Sequence, residues 1–350
     1  MVLIFLNCYG KWKREVAQAV GSKTRANTLK QFALNIREVP EAALFSHVSP
    51  DGDCLGSMLA LGIALESMGK KVSYYNTSPL PDNLKFLPGI ERISRSIPED
   101  LPANLIFIDC AEADRVDSHL VNNCLPTRTI FNIDHHISNT LYGTYNYVDV
   151  TAAATGEIIY SLLRELKISI TKEIAINLYT AIITDTGRFS YSNTTAKSFK
   201  IAAELVKTGI DLVAINNILF ERKSLAQIRL LHKALSNLVL LKDGSIAVIV
   251  LSKEDFAETS AEENLSEGLV NYARNIEDVE AAVLLKELDN DEIKVSLRSN
   301  SWLDVNKVAS KFGGGGHIRA AGCTINLPLS EATQSVVLAL EEALKHGRNN

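Results

Sequence analysis

The stretch "SHVSPDGDCLGS", residues 46–57, places a histidine and two carboxylates in a turn between two apolar segments. The residues before it, "AALF", are typical of a buried strand, and "LALGIALESMG" after it is typical of a helix. His47, Asp51 and Asp53 therefore lie together at the end of a predicted strand. A turn needs no such concentration of charge beside the hydrophobic face of a sheet, so the stretch requires a chemical explanation.

Two more predicted strands end in acid or imidazole, "NLIFIDC" at 104–110 and "RTIFNIDHH" at 128–136. Strands and helices alternate over this half of the chain, which predicts a mainly parallel sheet covered on both faces. The carboxyl ends of parallel strands share one edge of the sheet, where ligands bind. We therefore expect the convergence of His47, Asp51, Asp53, Asp109, Asp134, His135 and His136, with Asp185 of "AIITDTGRF" as a further candidate.

Each of these residues also has a structural interpretation. An Asp after a strand commonly forms a turn or caps a helix, and Asp53 precedes the predicted helix by two residues. Gly52 and Gly56 are expected to let the loop turn tightly. Three strands that end in this way nevertheless favour a shared site. About five clustered carboxylates would repel one another strongly, so the cluster predicts a bound cation.

The ligand types indicate which cation. Carboxylate oxygens favour hard ions and imidazole favours first-row transition metals, so a mixed site without thiolate suits manganese best, with magnesium, iron or cobalt less suitable. About six protein ligands exceed what one ion needs, which predicts two ions that share a bridging carboxylate. Two ions roughly 3.5–4 Å apart are a known arrangement for hydrolysing phosphate esters.

The composition narrows the class of protein. A chain of 350 residues exceeds the usual size of one core, which predicts two domains. The net charge of −5 argues against a wide basic surface for long duplex nucleic acid. Five widely spaced cysteines favour a reducing cytoplasm, and no apolar run reaches the roughly 20 residues of a membrane span.

The pattern along the chain predicts the domain boundaries. Residues 1–26 are interpreted as a tail or edge element, 27–210 as the first domain, 211–240 as a helical linker and 241–345 as a smaller second α/β domain. The linker prediction depends on "SLAQIRLLHKALSNLVLL", residues 224–241, read as one long helix. The second domain contains "SIAVIVLS", "VEAAVLLKEL" and "EIKVSLRS" as strands, "DVNKVASKF" as a helix and "GGGGH" at 313–317.

Taken in order, "HVSPDGDCLGS", "IDCAEADR", "IDHHISN", "TDTGRFSYSNTT", "SLRSN" and "GGGGHIRAAG" resemble the motifs of the DHH family of phosphoesterases. The resemblance covers about residues 27–345 and is greatest to the nanoRNase branch. It implies an α/β fold with an N-terminal, mainly parallel-sheet DHH domain and a smaller C-terminal DHH-associated domain. It also implies a homodimer formed through the first domain.

The resemblance further implies roles for the clustered residues. One manganese ion would be held by His47, Asp51 and Asp109, and the other by Asp53, Asp109, His135 and Asp185, with Asp109 bridging. Asp134 would orient an imidazole, and His136 would sit beside the scissile phosphate as an electrostatic stabiliser or proton donor. Two Mn²⁺ ions are the expected cofactor, with Mg²⁺ or Co²⁺ as substitutes.

In the second domain the glycine run alone is equally compatible with an ordinary helix end. Under the resemblance, the substrate-binding residues are Arg298, Ser299, Gly314, Gly315, Gly316, His317 and Arg319, because backbone N–H groups and cationic side chains bind phosphate.

The resemblance implies a cytoplasmic, manganese-dependent enzyme that uses two metal ions and water to hydrolyse short oligoribonucleotides (nanoRNA, pApA), to dephosphorylate 3′-phosphoadenosine 5′-phosphate, or both. Its partners would be these nucleotides, with no long duplex nucleic acid and no membrane. The alternatives are a cyclic di-AMP phosphodiesterase, a single-strand exonuclease of the RecJ type and a non-catalytic nucleotide sensor.

Overall fold

A computed structural model describes residues 27–116, 127–288 and 292–347, which form two compact units that divide after Glu221. The predicted tail or edge element at 1–26 lies outside the described residues. None of the helices in the described ranges combines the length and the hydrophobicity that a membrane span requires.

The first unit is built on a six-stranded sheet in which every neighbouring pair is parallel, so the predicted mainly parallel sheet is confirmed. The strand order is β3-β2-β1-β4-β5-β6. The strands are β1 (Glu41–Ser46), β2 (Lys71–Tyr75), β3 (Ile93–Ser94), β4 (Asn104–Ile108), β5 (Thr129–Asp134) and β6 (Tyr145–Val148). Strand order reverses between β1 and β4, and open α/β sheets bind ligands beside such a switch point.

The described helices of this unit share a core with one face of the sheet, and three of them begin or end at its carboxyl edge. The helices are α1 (Leu29–Arg37), α2 (Gly52–Ser67), α3 (Thr155–Glu165), α4 (Lys172–Asp185), α5 (Ala196–Val206) and α6 (Leu212–Asn216), which a π-helical turn at Asn217–Glu221 follows. Helix α2 is buried on nearly all sides, which explains why its sequence is apolar throughout instead of amphipathic.

Gly52 and Gly56 do not serve the tight turn that the sequence suggested. Both lie inside α2, and neither has a positive φ. A Cβ on Gly52 would lie 2.4 Å from the Thr184 hydroxyl oxygen, and one on Gly56 would lie 2.4 Å from the Asn177 carbonyl oxygen. The two glycines therefore let α2 approach α4 closely, which fixes Asp53 of α2 relative to Asp185 at the end of α4.

The second unit contains a mostly antiparallel six-stranded sheet of order β11-β12-β10-β9-β8-β7, with β8 and β9 parallel. Alternate residues of β8 and β9 enter two cores, one shared with α10 and α11 and the other with α7 and α9. The strands are β7 (Val239–Leu241), β8 (Ile246–Leu251), β9 (Ala281–Glu287), β10 (Ile293–Ser299), β11 (Gly315–His317) and β12 (Ala320–Ile325). The helices are α7 (Leu225–Ser236), α8 (Lys253–Thr259), α9 (Leu269–Arg274), α10 (Val305–Ser310) and α11 (Leu329–Gly347).

The prediction of one helix over 224–241 is wrong at its C-terminal end. Helix α7 ends at Ser236, and Val239–Leu241 forms strand β7, which pairs antiparallel with β8. The side-chain amide of Asn237 donates to the Val250 carbonyl (2.9 Å) and to the Asp255 carboxylate (3.1 Å). These long-range bonds hold the chain against β8, so the apolar run continues as a strand instead of a further helical turn.

Candidate metal centre

The predicted acidic and imidazole residues meet at the carboxyl edge of the first sheet. His47 follows β1, Asp109 follows β4, His135 follows β5, and Asp185 is the last residue of α4. The Nε2 atom of His135 lies 3.6 Å from Asp109 Oδ1 and 3.6 Å from Asp185 Oδ2. It lies 3.8 Å from Oδ2 of Asp53, which α2 contributes. Residues up to 138 positions apart in the chain, from His47 to Asp185, thus form one cluster.

The imidazoles of His47 and His135 are oriented in the way that metal-binding histidines require. Nδ1 of His47 lies 2.8 Å from the Val48 carbonyl oxygen, and Nδ1 of His135 lies 3.2 Å from the Ala152 carbonyl oxygen. A carbonyl only accepts, so each Nδ1 carries the proton, and in the neutral imidazole each Nε2 then keeps a lone pair. Both Nε2 atoms point at carboxylates, which is the arrangement expected around a cation.

Asp109 lies between the two imidazoles. Its Oδ2 is 3.6 Å from His47 Nε2, whereas its Oδ1 is 3.6 Å from His135 Nε2. The residue is buried and has a φ of +56°, a backbone conformation that non-glycine residues adopt rarely and that clusters at functional sites. Burial disfavours its charged form, but the neighbouring imidazoles of His47, His135 and His136, when protonated, lower its pKa overall.

The remaining carboxylates show the electrostatic cost of the cluster. Burial, together with the charges of Asp109 and Asp185, raises the pKa of Asp53 well above its ordinary value. Burial also raises the pKa of Asp185, to about 6. Without a cation these groups resist ionisation, and a divalent cation among them would restore the charged form of each.

The cap of helix α2 is Asp51 and not Asp53, which the structural interpretation had suggested. Asp51 is the N-cap of α2 and accepts from the Cys54 amide (3.0 Å), while its Oδ2 lies 3.9 Å from His47 Nε2. Asp53 lies inside the first turn, so it does not cap its own helix. Cys54 stands near this group, but burial raises the pKa of its thiol well above normal, so it remains a packing residue without thiolate character.

His136 has a different environment from its neighbour His135. Its Nδ1 lies 2.7 Å from Oδ1 of Asp134, a fully buried carboxylate. The other oxygen of Asp134 accepts from the side-chain amide of Asn139 (2.6 Å). The hydrogen bond that His136 donates to Asp134 raises the pKa of His136 to about 9, against the opposing effect of burial. His136 is thus a partly exposed cation beside the cluster, held in place by Asp134.

Sequence reasoning missed two residues that support the cluster, Asn139 and Thr155. Asn139 bonds to Asp134, and the Thr155 hydroxyl donates to Asp109 Oδ1 (2.8 Å). Asn139 lies in the quoted motif "IDHHISN", and Thr155 follows "AAA" at a predicted helix start. A polar residue at a helix start is so common that it gave no distinguishing signal.

The second unit brings together two of the residues predicted to bind substrate. Arg298 of β10 and His317 of β11 both pair with Ala320 of β12, so they occupy one cross-strand row on the same face of the sheet. The side chain of Ala320 between them is small, so it does not fill the space between Arg298 and His317. Arg319 is exposed, and its guanidinium donates to the Asn300 carbonyl oxygen.

Other residues predicted to bind substrate instead contribute to the packing and strand pairing of this unit. Ser299 does not fit its predicted role, because it is 3% exposed and its hydroxyl donates to the Leu303 carbonyl oxygen (2.7 Å). A Cβ on Gly314 would lie 2.2 Å from the Gly322 carbonyl oxygen, whereas Gly315 is open to solvent. Gly316 has a φ of +148°. The glycine run therefore allows β11 to pair closely with β12, instead of forming a loose helix end.

Comparison with known proteins follows the same division of the chain. Residues 41–182 match the DHH family, N-terminal domain, and residues 243–346 match the DHHA1 domain. The bifunctional oligoribonuclease and PAP phosphatase NrnA of Thermus thermophilus is 35% identical over 302 residues, 85% of this chain and 89% of that protein. The protein of the same name from Bacillus subtilis is 32% identical over 81% of this chain and 88% of its own.

A solved structure is similar to the chain over most of its length. The crystal structure of an exopolyphosphatase-related protein from Bacteroides fragilis matches with a TM-score of 0.82 and 29% sequence identity. The match covers 90% of this chain and 95% of that protein, so it includes both units.

Proposed function

The chain belongs to the DHH family and is therefore a hydrolase of phosphoester bonds; from this premise we propose that it acts on short oligoribonucleotides and on 3′-phosphoadenosine 5′-phosphate. The relatives from T. thermophilus and B. subtilis are named for these two activities, and they align over more than four-fifths of the chain. The net charge of −5 is compatible with short substrates, because a protein that tracks a long strand needs a basic groove.

The observation that carries this proposal is the position of Asp109 between two imidazoles whose Nε2 atoms are free. We propose that two divalent cations, Mn²⁺ by preference, bind on either side of Asp109. One would be held by His47, Asp51 and Asp109, and the other by Asp53, Asp109, His135 and Asp185. The mixed carboxylate and imidazole donors favour manganese over magnesium. Bound there, such ions supply Lewis-acid polarisation of the phosphoryl group and activation of water.

The residues of the chain would perform the remaining steps. His136 is a cation held by Asp134, so it is placed to stabilise negative charge that develops on the phosphoryl oxygens and to supply a proton to the leaving oxygen. In the second unit, the pair Arg298 and His317 is the candidate phosphate-binding row, because guanidinium and imidazole donors suit phosphate oxygens.

The remaining predictions stay part of this proposal. Residues 27–210 would carry the catalytic role and 241–345 the substrate-binding role, whereas the predicted linker 211–240 is divided between the units, with α6 in the first and α7 packed into a core of the second. The described cysteines, Cys54, Cys110 and Cys323, are free thiols, which is compatible with work in a reducing cytoplasm. Assembly as a homodimer remains an expectation from the family.

The test is incubation of metal-free protein with and without MnCl₂ on three substrates: a 5′-labelled diribonucleotide, pApA and 3′-phosphoadenosine 5′-phosphate. We expect Mn²⁺-dependent release of mononucleotide or phosphate. Asp109→Ala should abolish turnover, while Asp82→Ala, at an exposed residue outside the cluster, should not alter it. Failure of the wild-type protein to release any product would contradict the proposal, and binding without turnover would favour a nucleotide sensor.

A further inference from the structure

Helix α3 begins without a side-chain cap of its own. Its N-cap residue is Ala154, which has no side-chain acceptor to offer. Asp53 of α2 supplies the missing acceptors, since its Oδ2 accepts from the Thr155 amide (2.6 Å) and its Oδ1 from the Gly156 amide (2.9 Å). The start of α3 therefore holds the Asp53 carboxylate in one orientation.

The side chain of Thr155 contacts a second carboxylate. Its hydroxyl donates to Asp109 Oδ1 at 2.8 Å, and the residue is fully buried. Thr155 thus donates from its backbone to Asp53 and from its side chain to Asp109, which belong to different elements of the first unit. Hydrogen bonds to charged acceptors are stronger than those between neutral groups, so both contacts restrain the carboxylates.

The acceptor positions that remain match the proposed metal centre. Oδ1 of Asp53 accepts from Gly156 N and from the Ser57 hydroxyl (3.0 Å), so both of its lone pairs are used. Oδ2 keeps one lone pair, on the oxygen that lies 3.8 Å from His135 Nε2. In Asp109, the bond from Thr155 leaves one lone pair on Oδ1 beside His135 and two on Oδ2 beside His47.

We propose that Thr155 is a positioning residue of the metal centre: its hydroxyl fixes the rotation of the Asp109 carboxylate so that one oxygen faces each of the two cation positions. This inference rests on the proposed function, because it assumes that Asp109 bridges two cations. The cap of α3 requires only the backbone amide of residue 155, so the hydroxyl has no part in starting the helix. Among the residues that the structure describes, the hydroxyl bonds to Asp109 alone.

The experiment compares three substitutions of Thr155 in the full-length protein. Thr155→Val keeps the shape and removes the hydroxyl, Thr155→Ala removes the hydroxyl without any added bulk, and Thr155→Ser keeps it. The matched control is Thr180→Val, since Thr180 is fully buried in α4 and its hydroxyl has no hydrogen-bond partner among the described residues. Metal-free proteins are titrated with MnCl₂ in a calorimeter, and urea denaturation without metal reports the folding of each.

We expect Thr155→Val and Thr155→Ala to bind Mn²⁺ about 10- to 100-fold more weakly, the usual effect of removing a partner that orients a metal ligand. Thr155→Ser and Thr180→Val should bind as the wild type does. Wild-type affinity in both Val and Ala variants of Thr155, or equal weakening in the Ser variant, would overturn the inference while the metal centre stands. A wild-type protein that binds no Mn²⁺ would instead refute the proposed function itself.

Discussion

Replacement of Asp134 by Asn would test whether this buried carboxylate controls the charge of His136. Asp134 accepts from His136 Nδ1 (2.7 Å), from the His135 amide (2.8 Å) and from the side-chain amide of Asn139 (2.6 Å). An asparagine offers one acceptor oxygen and introduces a donor. If its oxygen serves the two histidines, its NH₂ group faces the NH₂ group of Asn139.

Asn139 cannot relieve this conflict by reversing its amide. Its Oδ1 accepts from the Leu141 amide (2.8 Å), and its Nδ2 donates to Asn132 Oδ1 (2.9 Å), so reversal would break both bonds. One buried donor therefore remains without an acceptor, which costs about 1–3 kcal/mol of folding stability. The pKa of His136 should fall from about 9 towards its ordinary value of 6.5, because the hydrogen bond to Asp134 is the main cause of the increase.

The sign of the pH dependence follows from these values. The folded-state pKa of His136 is raised, so its contribution to stability is fully present below pH 6.5 and is lost as the pH rises through about 9. In the metal-free protein, the stability difference between wild type and Asp134→Asn should therefore be largest near pH 6.5 and smaller above about pH 9.

Urea denaturation of EDTA-treated protein across this pH range measures the difference, and NMR titration of the His136 ring measures its pKa. The control is Asp149→Asn, because Asp149 Oδ1 accepts from both the amide and the hydroxyl of Thr151 and an asparagine oxygen can do the same. With metal restored, Asp134→Asn should lose about 10- to 100-fold in turnover. An unchanged His136 pKa, with a stability difference that does not vary with pH, would refute the reasoning.

Three further predictions concern other parts of the chain. Gly56→Ala should lower stability by about 1–3 kcal/mol in urea denaturation, because the added Cβ would lie 2.4 Å from the Asn177 carbonyl oxygen. The control Gly315→Ala, at an open position, should leave stability unchanged. Equal effects of the two substitutions would contradict the packing argument. Burial disfavours the charged form of Glu280, but hydrogen bonds from the Ser301 hydroxyl and from three successive backbone amides that begin at Ser301 lower its pKa overall. Its contribution to stability should fade as the pH falls below about 4, and Glu280→Gln should lack that loss in acid denaturation. Arg298→Ala should raise the KM for pApA about 10- to 100-fold with the metal affinity unchanged, and an unaltered KM would remove Arg298 from the substrate site.

The fold of the first unit could be predicted from the sequence because its central strands β1, β4 and β5 are buried on both faces. Continuous apolar runs such as those of β1, β4 and β5 indicate a parallel sheet, and polar residues directly after them mark its carboxyl edge. The second unit was harder to predict. Strand β11 consists of "GGH", which has no apolar pattern at all, and it exists because β12 supplies hydrogen bonds that only the folded chain provides.

The residues of the candidate site could be predicted from the sequence, but the hydrogen bonds that orient their carboxylates could not. A strand that ends in Asp or His carries a local signal, whereas the hydroxyl of Thr155 reaches a carboxylate 46 positions earlier in the chain. The same limit applies to Gly52 and Gly56, whose neighbours belong to α4, well over a hundred residues away. Local patterns therefore identify the residues able to hold cations, and tertiary packing decides which oxygen of each carboxylate remains free. If this is correct, substitutions at Thr155 or Gly56 should weaken metal binding although neither residue is a candidate ligand.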